Sequence, residues 1–129
     1  MATATYKRGE IRTAIYTNGT GAEIPVDTII VGGVVGADKS HVCVARETIA
    51  IAGTGIVAVS GVFEFPKTST AVIKMGEAVN WDASAGSLDD SAAIAATGDV
   101  AMFGCALEDA GNGVTVLDVD IAESGTYTA

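Results

Sequence analysis

Alternation of apolar and polar residues constrains this chain more than any other feature. In Ile56-Val57-Ala58-Val59-Ser60-Gly61-Val62-Phe63-Glu64-Phe65 an extended backbone puts Val57, Val59, Phe63 and Phe65 on one face, with Ser60 and Glu64 on the other. From Val114 to Ala122 the same period turns Leu117, Val119 and Ile121 inward and Asp118 and Asp120 outward. Both runs predict strands. Shorter strands are expected over Ile11–Thr17, Thr28–Val35, His41–Ala45, Ala78–Trp81 and Val100–Leu107, each bounded by Gly, Asn, Asp or Ser turn signals. Only Asp89–Ala96 has helical composition, with acidic residues at its start where the helix dipole favours them, and it predicts one or two turns.

Several short strands at this spacing in 129 residues predict an all-β chain, a single compact β-sandwich or β-barrel domain with at most one short helix. Hydrophobic residues make up 49% but aromatics only 5%, so small apolar side chains must fill much of the core. Residues 1–10 lack an apolar pattern and are expected to form an extended N-terminal arm. The β-rich domain is expected over 11–122, followed by a loose C-terminal tail over 123–129.

Charge narrows the function. The net charge is −9, and residues 75–129 carry ten carboxylates and no Lys or Arg, which weighs against a surface built to grip nucleic acid phosphates. That acidic part must face water or a basic partner. Lys7, Arg8 and Arg12, three of the seven basic residues, are the candidate contacts to a neighbouring subunit or another protein, reached by the arm. No apolar run approaches the ~18–20 residues of a membrane span, and the charged start lacks the apolar run of a secretory signal. A soluble protein made in a cytoplasm is expected, with Cys43 and Cys105 as free thiols packed like small apolar residues.

Motifs for chemistry are incomplete. Gly33-Val34-Val35-Gly36-Ala37-Asp38-Lys39-Ser40 has the length and Lys-Ser ending of a phosphate-binding loop, but Asp38 stands where the second glycine should be. A strand, not a helix, is expected to follow it, so the run reads as an exposed turn and no nucleotide cofactor is expected. Gly53-Thr54-Gly55 lacks the third glycine of a dinucleotide fingerprint and reads as a hairpin turn. His41 and Cys43 share a strand face but are two ligands where zinc takes three or four, and no acidic stretch has calcium-loop spacing, so no metal is expected. One histidine without a G-x-S-x-G turn gives no nucleophilic arrangement, and Asp89-Asp90 and Glu108-Asp109 read as solvated loop carboxylates. No catalytic residue is assigned.

Three blocks carry a family resemblance. Gly61-Val62-Phe63-Glu64-Phe65-Pro66-Lys67, Gly76-Glu77-Ala78-Val79-Asn80-Trp81-Asp82, and Gly104 through Gly113 followed by Val114-Thr115-Val116 resemble, in order and spacing over roughly 9–121, a family of small bacteriophage head proteins. These are capsid cement or decoration proteins, also carried as a domain-of-unknown-function family with a recombinase-like label. The resemblance implies a structural virion protein on the capsid surface, made in the host cytoplasm, with the major capsid protein and its own copies, as a homotrimer or homodimer, for partners. It implies no enzyme, no cofactor, no nucleic acid and no membrane. Asn80, where an aromatic is more usual, and a longer loop at Gly86–Gly98 depart from the pattern. Two alternatives stay open: a nucleotide-binding recombinase-like protein, and a carbohydrate-binding β-module on the virion that would need Trp81 and Tyr16 as exposed stacking platforms.

Overall fold

The computed structural model describes residues 2–31, 41–122 and 125–128, and the regular elements among them are all strands. They are β1 (Thr5–Arg8), β2 (Thr13–Thr17), β3 (Ile29–Val31), β4 (Val42–Ala45), β5 (Thr54–Ala58), β6 (Val62–Pro66), β7 (Ala78–Asp82), β8 (Ser87–Asp89), β9 (Val100–Ala106), β10 (Val116–Asp120) and β11 (Thr126–Tyr127). The larger sheet runs β1-β6-β10-β9-β7-β8, with β11 also on β9; the smaller runs β2-β5-β4-β3. Within both sheets neighbouring strands are antiparallel. The larger sheet curls until the residue after β6 meets β8 in a parallel bridge, Lys67↔Leu88, backed by Thr68 N–H on the Leu88 carbonyl at 3.0 Å. The architecture thus combines a barrel-like curled sheet with a smaller sheet packed on it.

The expected strand over 56–65 is two strands in two sheets. At Gly61 the backbone takes φ +113°, a conformation that L side chains rarely adopt, and the chain passes from β5 in the smaller sheet to β6 in the larger. Alternation survives the crossing, so Val57, Phe63 and Phe65 are all buried, but Val57 packs with Ile24, Cys43 and Ile49 while the two phenylalanines enter the main core. That core joins Phe63, Phe65, Trp81, Phe103, Leu117, Val119 and Ile121 of the larger sheet side to Ile29, Val42, Val44 and Ala58 of the smaller. Phe65 is the centre of its aromatic packing, 6.0 Å from Trp81 and 5.5 Å from Phe103 between ring centroids.

Three expectations are corrected. Residues 2–8 are a strap, not an arm extended away from the domain. Residues 2–4 bond to 27–29, through Ile29 N–H on the Ala2 carbonyl and Ala4 N–H on the Asp27 carbonyl, and β1 then adds to β6. Ala4 enters the core and Tyr6 lies edge-on to Phe63 at 5.6 Å, contacts too few in number to register as a periodic pattern. Asp89 ends β8, and residues 90–96 form a turn and irregular chain rather than a helix, because the Asn80 side-chain amide takes the Asp90 and Ala93 carbonyls and the Asp90 carboxylate caps Ala92 N–H. The tail is also held: β11 pairs with β9, Thr126 opposite Ala101 and Tyr127 opposite Val100.

Candidate contact surface

The three basic residues singled out from the sequence are brought only partly together. β1 runs antiparallel to β6 with Thr5 opposite Glu64, which places Lys7 Nζ 3.6 Å from Glu64 Oε2; a register shift after Tyr6 then turns Arg8 onto Asp118 Oδ2 at 3.3 Å. Arg12 lies beyond the bend at Gly9 and pairs with Glu10 at 3.6 Å. Each cation therefore has a carboxylate of its own chain; the Lys7–Glu64 and Arg12–Glu10 pairs are exposed on both sides and worth only ~0.2–1 kcal/mol, whereas Arg8 reaches a buried carboxylate, Asp118. Lys7 and Arg12 can exchange partners at small cost. Lys7 and Arg8 thus lie on the N-terminal strap and Arg12 just past it, a basic rim in a chain whose last 55 positions have no cation.

Beside Arg12, at the junction of the two sheets, lies a cleft of about 480 Å³, bordered also by Glu10, His41, Ser60 and Asp120. Its signs are mixed. His41 Nε2 is 3.2 Å from the Val59 carbonyl, and Ser60 Oγ donates to the Glu10 carbonyl while accepting Arg12 N–H, so these polar groups tie His41 and the segment between β1 and β2 to the β5–β6 crossing. Among the described residues no three His, Cys, Asp or Glu side chains gather as a metal would require. Cys43, next along the face from His41, is buried with its thiol toward the Ile30 carbonyl at 3.5 Å, and burial pushes it up to about 12. Such a thiol is a poor thiolate donor. Both cysteines are free, Cys105 half-buried.

Sequence reasoning missed the polar groups that set the surface. The Arg46 guanidinium lies 5.7 Å from the Tyr6 ring centre and 5.6 Å from that of Phe63, and reaches Asp27 at 3.5 Å, clamping the strap from above. Lys67 is buried and donates to the carbonyls of Thr68, Gly111 and Val114 at 2.8, 3.2 and 3.0 Å. Asn18, also buried, serves the Ala22, Ile49 and Ala50 carbonyls and accepts Thr20 N–H. The Asn80 departure has a structural cause: its oxygen accepts Met102 N–H at 2.9 Å, holding a residue at φ +56° in β9. Lone polar residues within apolar stretches give no signal of these pairings in one sequence.

Trp81 is buried against Phe65 and offers no stacking platform, which removes half of the carbohydrate-module alternative; Tyr16 is half-buried beside the Ile24–Ile49 cluster. Gly33–Ser40 lies outside the described residues. Among those described, no helix is long and apolar enough to cross a membrane. A family model described as phage cement protein matches residues 8–121, from the last residue of β1 through β10. No curated protein matches the chain.

Proposed function

The chain belongs to the phage cement protein family, and from that premise we propose that it binds the outer surface of a bacteriophage capsid and stabilises the shell. The family match across both sheets carries this reading, and a structural, capsid-associated role comes with it. The physics suits the role. A cement protein needs a stiff body and many weak contacts repeated over a lattice, where linked binding events multiply small affinities. Its partners in this reading are the major capsid protein and other copies of itself, met on the head after synthesis in the host cytoplasm, and it performs no catalysis. Lys7 and Arg8, on a strap fixed to the domain rather than on a free arm, and Arg12 just past it supply one contact.

Co-sedimentation with phage heads assembled without the protein tests this. Wild-type protein should pellet with heads and raise the temperature at which they rupture, and Lys7→Glu/Arg12→Glu should pellet less at low salt, with the difference shrinking as salt is added. Failure of the wild-type protein to pellet with heads overturns the reading; wild-type and variant binding alike removes the basic rim from it.

A further inference from the structure

The sheets of this molecule have strand edges that differ in how they are protected. β1, an edge of the larger sheet, carries Lys7 and Arg8 and a register shift, the features by which edges resist added strands. The β3 edge of the smaller sheet is covered at its start, at Thr28 and Ile29, by residues 2–4. β2, the other edge of the smaller sheet, has none of these. Thr13-Ala14-Ile15-Tyr16-Thr17 is uncharged, contains no proline, and pairs with β5 in unbroken register from Thr13↔Ala58 to Thr17↔Thr54.

The backbone groups that β2 turns outward follow from those of its neighbour. Ile56 faces away from β2, donating its N–H to Glu47 Oε2 and accepting Arg46 N–H, both at 2.9 Å, so Ile15, opposite it, belongs to a pair without mutual hydrogen bonds. Arg12 and Asn18, three residues to either side of Ile15, bond inward, to Val59 N–H and the Gly53 carbonyl. By alternation Ala14 and Tyr16 serve β5, while Thr13, Ile15 and Thr17 present N–H and C=O to the outside with no partner among the described residues. Their side chains are exposed too, Ile15 at 63% beside Ile56 at 40%.

We propose that this edge docks a second copy of the chain, the two β2 strands pairing antiparallel about a two-fold axis at Ile15. The outward residues read Thr-Ile-Thr, which is the same in both directions. Antiparallel pairing centred on Ile15 sets Thr13 against Thr17 of the second copy, Ile15 against itself, and Arg12 against Asn18. No like charges meet along the seam, although each chain carries −9 overall. An isologous contact brings each strand against itself and so needs self-complementarity, which this seam meets by placing hydroxyl against hydroxyl, isoleucine against isoleucine and a cation against an amide. The pairing satisfies about six backbone groups on each strand and joins Ile15 and Ile56 of both copies into one apolar strip. It stands or falls independently of capsid binding.

The test uses the full chain in dilution series by sedimentation equilibrium, with cysteine cross-linking in a Cys105→Ser background. The mass should rise toward twice that of a single chain, and Ile15→Lys, an exposed change that places two cations on the axis, should hold it at the single-chain value. Opposed Cα atoms at Ile15 would be ~5.5 Å apart, within disulfide reach, so Ile15→Cys should oxidise to a linked pair. Thr13→Cys should link poorly alone and readily when mixed with Thr17→Cys. A single-chain mass at every concentration overturns the proposal, as does Thr13→Cys linking to itself as readily as Ile15→Cys. A single-chain protein whose Ile15→Lys variant loses phage heads assigns the edge to a strand of a head protein, and likewise overturns pairing with a second copy.

Discussion

Lys67 is the side chain on which the seam of the curled sheet depends. Its ammonium group is out of water and, among the described residues, is compensated by three carbonyls, one from its own neighbour and two from the 111–114 turn, while its backbone N–H bonds to the Thr115 carbonyl. Methionine would keep the stem and strand all three acceptors. Lys67→Met is therefore expected to cost about 3 kcal/mol, read as a lower urea midpoint with unchanged slope. The cysteines separate by burial. In folded protein a thiol reagent should titrate Cys105 and leave Cys43 until unfolding. Because burial raises the Cys43 thiol from its ordinary 9.0 to about 12, the folded chain keeps a proton that the unfolded chain releases. That contribution is complete below pH 9 and lost as pH rises toward 12, so Cys43→Ala should flatten the alkaline decline in stability over that window. Tyr16, raised by burial and then by Cys43, contributes in the same direction.

Among the elements, the N-terminal strap carries the most consequence for its length. It covers the start of the β3 edge with residues 2–4, adds β1 to β6, buries Ala4, and lays Tyr6 against both Phe63 and Arg46. Deleting residues 2–8 should destabilise the domain by about 3 kcal/mol, roughly 10 °C in Tm; a passive extension would leave the melting curve unmoved. The β9–β10 pairing depends on a missing side chain. A Cβ at Gly104 would stand 2.6 Å from Val119 Cγ1 and 2.7 Å from the Asp120 carbonyl oxygen, and the second of these is backbone that cannot swing aside. Gly104→Ala should cost about 2 kcal/mol through forced separation of the strands, seen as faster amide exchange at Val119 and Asp120.

At the scale of the whole molecule, the main core takes side chains from both sheets, with Ile29, Val42, Val44 and Ala58 packed among the residues of the curled sheet. Neither sheet keeps a sealed face without the other. Unfolding should therefore be one transition, with Trp81 fluorescence reporting the larger sheet and Cys43 thiol exposure the smaller, and the two midpoints coinciding. Separate midpoints would mean that the smaller sheet melts alone.

The sequence by itself determined that the chain is all-β and most of the side chains that turn inward, because a period of two is a local property of extended backbone; Asp118, expected outward, is instead buried with its carboxylate on Arg8. Val57, Phe63, Phe65, Leu117, Val119 and Ile121 are buried as their alternation requires. Chain order and family blocks were legible for the same reason: the strand containing Phe63 and Phe65, the Trp81 strand and the Gly104 strand are contiguous segments. Tertiary structure alone decided which sheet each strand joins, since alternation runs unchanged through Gly61 while the chain changes sheet there. It alone gave β1, β8 and β11, two to four residues each, their place, because strands so short are specified by the ladder they complete and not by their own pattern. It alone placed the basic rim against Glu64, Asp118 and Glu10, Lys67 among its carbonyls, and β2 at an open edge, because ion pairs, buried polar contacts and sheet edges are relations between residues far apart in the chain.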